Sequence, residues 1–238
     1  MQTLSADMLF AAHMNDEIDA VFAPIDGLLT PDAWHQLRVS FPDPSLFAPH
    51  SGVVFVRPGE PVQLHLLDLV DHDAGLGEVT LGGLAAPWRA FVEQLRTHPG
   101  YRALLARCAG TGTFRLRCSW HLRGTRSTAP PHRDADQKLA THLFYFVGPD
   151  EWDAAWGGET IFLGGRDSSS EDPATIEHFS TRRVIPCLGN KSLLFRNTAL
   201  AWHCVLPLGC PPGVLRRTFN VFAEIIPEDP SQDARERE

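Results

Sequence analysis

The chain predicts a mainly β fold with flanking helices, built on a double-sheeted jelly roll of the cupin type. Three observations carry this. From Thr113 onward Phe114, Leu116, Cys118, Trp120 and Leu122 alternate with Arg115, Arg117, Ser119 and His121, the period of a strand with one buried face. Turn residues are dense, with 19 Gly and 19 Pro in 238 residues, and they separate several short apolar runs at regular spacing, as in a sandwich or barrel. Helical periodicity is confined to the first half of the chain, so helices are expected to support strands from outside.

A length of 238 residues with 43% apolar content is enough for one domain, at most two, with a sizeable core. The reading is a single domain over 1–238. Residues 1–112 form an N-terminal helical and strand support, 113–226 the jelly-roll core and 227–238 a flexible tail. A net charge of −8 argues against nucleic acid as the partner. The odd number of cysteines, 108, 118, 187, 204 and 210, form no CxxC pair and read as reduced thiols of a cytoplasmic protein. No signal peptide is evident at the N-terminus, and no apolar run is long enough to span a bilayer.

In order, Met1 to Asn15 reads as a short helix or loose arm and Ile18 to Phe22 as a strand. Thr30 followed by Pro31 starts a helix, which runs to about Ser40 and is stopped by Pro42 and Pro44. Val53 to Val56 is a strand; Gly59 to Gly83 is acidic, Gly-rich and carries no clear period. Ala85 to His98 is a helix, because Trp88, Phe91, Val92 and Leu95 make one apolar stripe. Pro99-Gly100 breaks it before a shorter helix, Tyr101 to Cys108.

A turn-rich loop, Arg123 to Pro131, leads into His132. Strands follow at Leu139 to Val147, Thr160 to Leu163, Val184 to Pro186, Leu193 to Phe195, Trp202 to Leu206 and Val214 to Ile226. Gly157-Gly158-Glu159 reads as a bulge or tight turn. Gly164 to Asp172 reads as a mobile polar loop, and Pro227 to Glu238 as a disordered tail.

His132 and Asp134 stand at i and i+2, so both side chains of an extended chain point to one side. His203 follows on a distant strand. Two imidazoles and a carboxylate form the facial triad of non-haem Fe(II) sites, which leaves the opposite positions open. An HxD arises by chance about once in a chain with eleven His, so the weight falls on its surroundings. The same groups with a water also suit zinc in a hydrolase-like site, and a non-catalytic binding module on the same fold is a third reading.

The ordered set His132-Arg133-Asp134, Thr141-His142-Leu143-Phe144-Tyr145-Phe146, Trp156-Gly157-Gly158-Glu159-Thr160, Trp202-His203-Cys204-Val205 and Arg216-Arg217-Thr218-Phe219-Asn220 resembles the Fe(II)- and 2-oxoglutarate-dependent dioxygenases, in the branch of the prolyl 4-hydroxylase-like enzymes. The resemblance covers about Thr113 to Ile226. It implies a double-stranded β-helix core and an oxygenase that uses Fe(II), 2-oxoglutarate and O₂. Such an enzyme hydroxylates an unactivated C–H of a small molecule or peptidyl side chain and releases succinate and CO₂. It implies His132, Asp134 and His203 as metal ligands and a late-strand basic residue, Arg216 or Arg217, for the distal carboxylate of 2-oxoglutarate. Strand alternation puts Arg216 with Thr218 and Asn220 on one polar face, and the family's small hydroxyl two positions on matches Arg216 with Thr218. Tyr145 stands where the family hydrogen-bonds that carboxylate, and Leu143 lies on the same strand. Trp120 occupies the place of a second family tyrosine and is expected to wall the pocket. Asp134 itself, where the related halogenases carry a small residue, points to hydroxylation. Arg115, Arg117, Arg123, Arg126 and Arg133 concentrate positive charge near the site, for an anionic substrate or to balance nearby carboxylates.

Overall fold

The computed structural model describes residues 22–50, 64–167 and 173–227. The expected arm at Met1 to Asn15, the strand at Val53 to Val56, most of the strand at Ile18 to Phe22, the Ser-rich stretch 168–172 and the tail beyond 227 lie outside them. In chain order the elements are β1 (Phe22–Asp26), α1 (Pro31–Val39), β2 (Ala48–Pro49), β3 (Leu64–Val70), β4 (Glu78–Thr80), α2 (Ala86–Thr97), α3 (Pro99–Ala109) and β5 (Arg115–Arg123). They continue with β6 (Ala129–His132), β7 (Lys138–Tyr145), β8 (Thr160–Arg166), β9 (Phe179–Ile185), β10 (Lys191–Arg196), β11 (His203–Val205) and β12 (Arg216–Glu224).

Among the described residues the strands form two sheets. The larger has the order β1-β10-β7-β12-β5-β3-β2 with β4 beside β3, and the smaller the order β6-β11-β8-β9. Apart from the parallel β3–β4 pair, neighbours within them run antiparallel. Sequence neighbours such as β5 and β6 therefore sit in different sheets, the crossing pattern of a jelly roll.

Strand alternation sorts the two faces of the larger sheet. On β12, Phe219, Val221 and Ala223 face the helices; on β7, Ala140 and Phe144 join them in one buried cluster with Trp88, Phe91, Val92 and Leu95 of α2. Trp88 is the centre of that layer. Its ring meets Phe41, Phe91, Trp120, Phe146 and Phe219 edge-on at 5.1–6.0 Å, and its indole N–H donates to the carbonyl of Leu37 at 3.1 Å. The opposite face of the same sheet carries Tyr145 of β7 and Leu193 and Phe195 of β10. These pack against Phe162 of β8 and Val205 of β11 from the smaller sheet.

Helix starts follow local chemistry. The Thr30 hydroxyl accepts from the Ala33 N–H at 3.3 Å and caps α1 as expected. Pro99-Gly100 does not separate the next two helices. His98 alone does so, and Pro99 opens α3 at the first helical position, where its missing N–H leaves nothing unpaired. The β8 strand runs on through Arg166, where a loop from Gly164 was expected. Pairing with β9 as far as Arg166↔Phe179 holds it extended.

Candidate metal centre and the residues around it

His132 ends β6 and His203 opens β11, and the two are direct cross-strand partners in the smaller sheet. Their ring centroids are 4.3 Å apart. Asp134 follows two residues after His132 in the loop to β7, and one ligand atom from each of the three lies within 4.8 Å of the others. The Nδ1 of His132 is 2.8 Å from the Pro130 carbonyl and that of His203 is 3.0 Å from the Ala201 carbonyl. A carbonyl can only accept, so each Nδ1 carries the proton and each Nε2 presents its lone pair. Asp134 accepts from the Thr141 hydroxyl at 2.6 Å and from the Lys138 ammonium at 3.1 Å. The loop that carries Asp134 is pinned by the Asn197 side-chain amide, which donates to the carbonyls of Asp134, Ala135 and Lys138.

Burial, with His203 beside it, pushes His132 down to about 3, and burial also lowers His203. Burial alone would raise Asp134, but the Lys138 charge, the two imidazoles and the Thr141 hydroxyl hold it below the ordinary carboxylate range. At neutral pH the cluster is two neutral imidazoles and one carboxylate, the protonation state that ligates without first losing a proton.

Arg216 begins β12 on the face that looks into the barrel and is buried. Its Nε donates to the Gly158 carbonyl at 2.7 Å, and Nη2 lies 3.5 Å from the Thr160 hydroxyl. That hydroxyl accepts from the Tyr145 O–H at 2.8 Å, and the guanidinium lies 5.3 Å from the Tyr145 ring centre. Burial raises Tyr145 to about 12, so it stays a neutral donor. Thr218 is buried on the same face, between Tyr145 and His121 as cross-strand partners, and Leu143 lies across from Asn220. The Gly157-Gly158 pair turns the chain into β8 at φ of 78° and 97°, and it aims the Gly158 carbonyl at Arg216. A Cβ on Gly158 would come within 3.2–3.3 Å of Cys187, Trp152 and Arg216.

Arg217 points the other way, as alternation requires. It pairs with Glu151 and donates to the Arg38 carbonyl at 3.3 Å. Trp120 does not wall the pocket. It belongs to the apolar face of β5 and packs under α2, 5.2 Å from Trp88 and 4.8 Å from Phe219. The inward positions of β5 are instead Ser119, His121 and Arg123, which share the parity of Arg216 across the ladder. Trp202 also turns away from the barrel, against Phe179 at 5.5 Å with the Arg166 guanidinium over its ring. Among the five arginines of the basic stretch, Arg115 and Arg117 balance carboxylates, Glu224 for both and Asp68 for Arg117. Sequence reasoning missed Thr141, Lys138, Asn197 and Thr160. The first two carry a signal, their spacing after Asp134 on a strand entering the barrel; Asn197 and Thr160 carry none.

No protein-family model matches the chain, and no curated protein does. Solved structures do. A prolyl hydroxylase from Trichoplax adhaerens, in complex with a hypoxia inducible factor oxygen degradation domain peptide fragment, is 14% identical. The match covers 92% of this chain and 88% of that one, with a TM-score of 0.57. A prolyl-4-hydroxylase from Pseudomonas putida is 12% identical over 87% of this chain and 93% of its own, with a TM-score of 0.57. The non-haem alpha-ketoglutarate-dependent carbocyclase SnoK from nogalamycin biosynthesis is 11% identical over 85% and 79%, with a TM-score of 0.54. The chain therefore has the jelly-roll fold of the 2-oxoglutarate-Fe(II) oxygenases, with prolyl hydroxylases among its structural neighbours.

The residues present fit the groups that this fold holds elsewhere. The triad offers nitrogen and anionic oxygen on one side, as Fe(II) prefers. Asn220, inward-facing and buried between Arg216 and the triad's side of the sheet, has no acceptor for its Nδ2 among the described residues. An oxygen-rich co-substrate would supply one.

Proposed function

We propose that the protein is a non-haem Fe(II)- and 2-oxoglutarate-dependent dioxygenase that hydroxylates an unactivated C–H of a small molecule or peptidyl side chain. The observation that carries this reading is the pairing, inside one barrel, of the His132–Asp134–His203 cluster with a buried arginine that no carboxylate neutralises among the described residues. A zinc hydrolase site would use the cluster and leave the arginine without work.

Bound Fe(II), with 2-oxoglutarate and O₂, supplies the oxidising power for the C–H bond, and succinate and CO₂ are the other products. The chain's own residues set the geometry. His132 and His203 present Nε2 because their Nδ1 protons are committed to carbonyls. Lys138 and Thr141 hold the Asp134 carboxylate in place and ionised. Arg216 receives the distal carboxylate of 2-oxoglutarate with its planar fork. Tyr145 acts through Thr160, which its hydroxyl orients towards the guanidinium. Thr218 and Leu143 line the space between. No helix among the described residues is long and apolar enough to cross a membrane.

The test is an anaerobic titration of the metal-free protein with Fe(II) and 2-oxoglutarate, followed in the visible spectrum, with Asp134→Ala and Arg216→Ala alongside. The expected result is a charge-transfer band that both substitutions weaken. Absence of the band in the wild type, with tightly held zinc found by metal analysis, would overturn the reading in favour of a zinc site.

A further inference from the structure

Arg123 ends β5 directly across the ladder from Arg216, so both side chains rise from the inward face as nearest neighbours. The partners of Arg123 are neutral: the Thr128 carbonyl at 2.9 Å and the Ser127 hydroxyl at 3.4 Å. Those of Arg216 are neutral as well. Among the described residues neither guanidinium has a carboxylate within ion-pair distance, Glu159 beside the Gly-Gly turn included. Arg38, Arg115, Arg117 and Arg217 all do. Two like charges side by side, Arg216 buried and Arg123 part-buried, are held there at a cost unless an anion joins them. Burial, with Arg216 beside it, lowers the Arg123 guanidinium to about 9, the mark of a cation lacking its counter-charge.

The position of Arg123 says which anion. The loop after β5 is latched to the segment after β11, with Arg126 N–H to the Leu208 carbonyl, Leu208 N–H to the Ser127 carbonyl and the Thr128 hydroxyl to the Val205 carbonyl at 2.8–3.0 Å. This latch includes Ser127 and Thr128, which hold the Arg123 guanidinium. The metal ligands lie towards the other end of the same strands, where Asp134 is tied to Thr141 and Thr141 faces Phe222. Arg123 thus stands at the Arg216 end of these strands.

We propose that Arg123 is a second guanidinium for the distal carboxylate of 2-oxoglutarate, making with its cross-strand neighbour Arg216 a two-arginine receptor. This rests on the 2-oxoglutarate reading above. Arg123 is then a co-substrate-selecting residue.

The experiment is isothermal titration of the Zn(II)-loaded protein with 2-oxoglutarate and with 2-oxopentanoate, the same keto acid with a methyl in place of the distal carboxylate. Arg123→Gln is expected to weaken 2-oxoglutarate by about tenfold or more, the loss of one charge-assisted contact, and to leave the weaker 2-oxopentanoate affinity unchanged. Arg123→Lys keeps the charge without the fork and covers the case of a glutamine variant that fails to fold; a several-fold loss for 2-oxoglutarate alone is expected. Wild-type affinity for 2-oxoglutarate in both variants would overturn the inference and leave the proposed function standing. An equal loss for both keto acids would make Arg123 a structural residue and overturn it too. If the wild type binds neither keto acid, the 2-oxoglutarate reading itself falls.

Discussion

Arg216 and Arg217 are adjacent in sequence and opposite in situation, because a strand sends successive side chains to opposite faces. Arg216 meets a carbonyl, a hydroxyl and an aromatic ring inside the barrel; Arg217 meets Glu151 on the helix side. Arg216→Ala should therefore weaken 2-oxoglutarate by about a hundredfold, the loss of a fork-shaped charged contact. Arg217→Ala should change it by less than about twofold, both read by titration of the metal-loaded protein. Thr141 offers a second residue-scale case. Its hydroxyl donates to Asp134 at 2.6 Å, and Thr141→Val removes that donor at nearly constant volume. Metal affinity should fall by about tenfold, in the range of other second-layer partners, measured by competition with a chelator of known affinity. The same alternation that separates the two arginines was legible in the sequence, and so was the i, i+2 relation of His132 and Asp134. Trp120 shows what was legible but outweighed. Its place among Phe114, Leu116, Cys118 and Leu122 puts it on the apolar side, yet the family's tyrosine at that point drew it to the pocket. Thr160 and Asn197 were beyond reach, because nothing in a lone Thr or Asn records which carbonyl or guanidinium the fold brings to it.

The strongest element in the sequence is α2, and its four-residue stripe is the face that the structure buries. Trp88 is its aromatic centre, edge-on to Phe41, Phe91, Trp120, Phe146 and Phe219. Trp88→Ala should cost about 3–5 kcal/mol, seen as a lower midpoint in chemical denaturation with the metal cluster itself untouched. The stretch after Gly59 was opaque for a physical reason. In β3 the buried positions are Leu64, Leu67 and Val70, a spacing of three that matches neither the strand period nor a sustained helix. Its neighbours β2 and β4 are too short to show any period. The turn before β8 was legible as a turn, but its task was not. Gly158 aims a carbonyl at Arg216 from a left-handed backbone that other residues resist. Gly158→Ala should tilt the Arg216 side chain, raising the dissociation constant for 2-oxoglutarate several-fold while metal affinity stays at the wild-type value.

At the scale of the molecule, helices cover one face of the larger sheet and the smaller sheet covers the other. The inner space is apolar around Phe162, Leu193 and Phe195 and polar along β5 and β12. That division explains why the jelly roll was legible: apolar alternation and dense turns specify two sheets with an interior between them. The partners that fill the interior left a fainter trace, because inward polar residues look like surface residues in a sequence. Among the described residues they also leave the barrel holding uncompensated groups: two guanidiniums without carboxylates, an Asn220 amide nitrogen without an acceptor and three side chains placed to hold a metal. Ligands that complete them bind the folded chain and not the unfolded one, so they must raise its stability. Zn(II) with 2-oxoglutarate at about a hundred times its dissociation constant adds about 2.7 kcal/mol from the keto acid alone, or about 5–10 °C in Tm for a chain of this length. On the proposed function, Asp134→Ala would remove a ligand of the metal that the keto acid needs, and Arg216→Ala would remove its distal anchor. The shift should nearly vanish in the first and shrink in the second, measured by differential scanning fluorimetry at matched concentrations. An undiminished shift in both variants would mean that the keto acid binds elsewhere on the molecule, and the barrel interior would need another occupant.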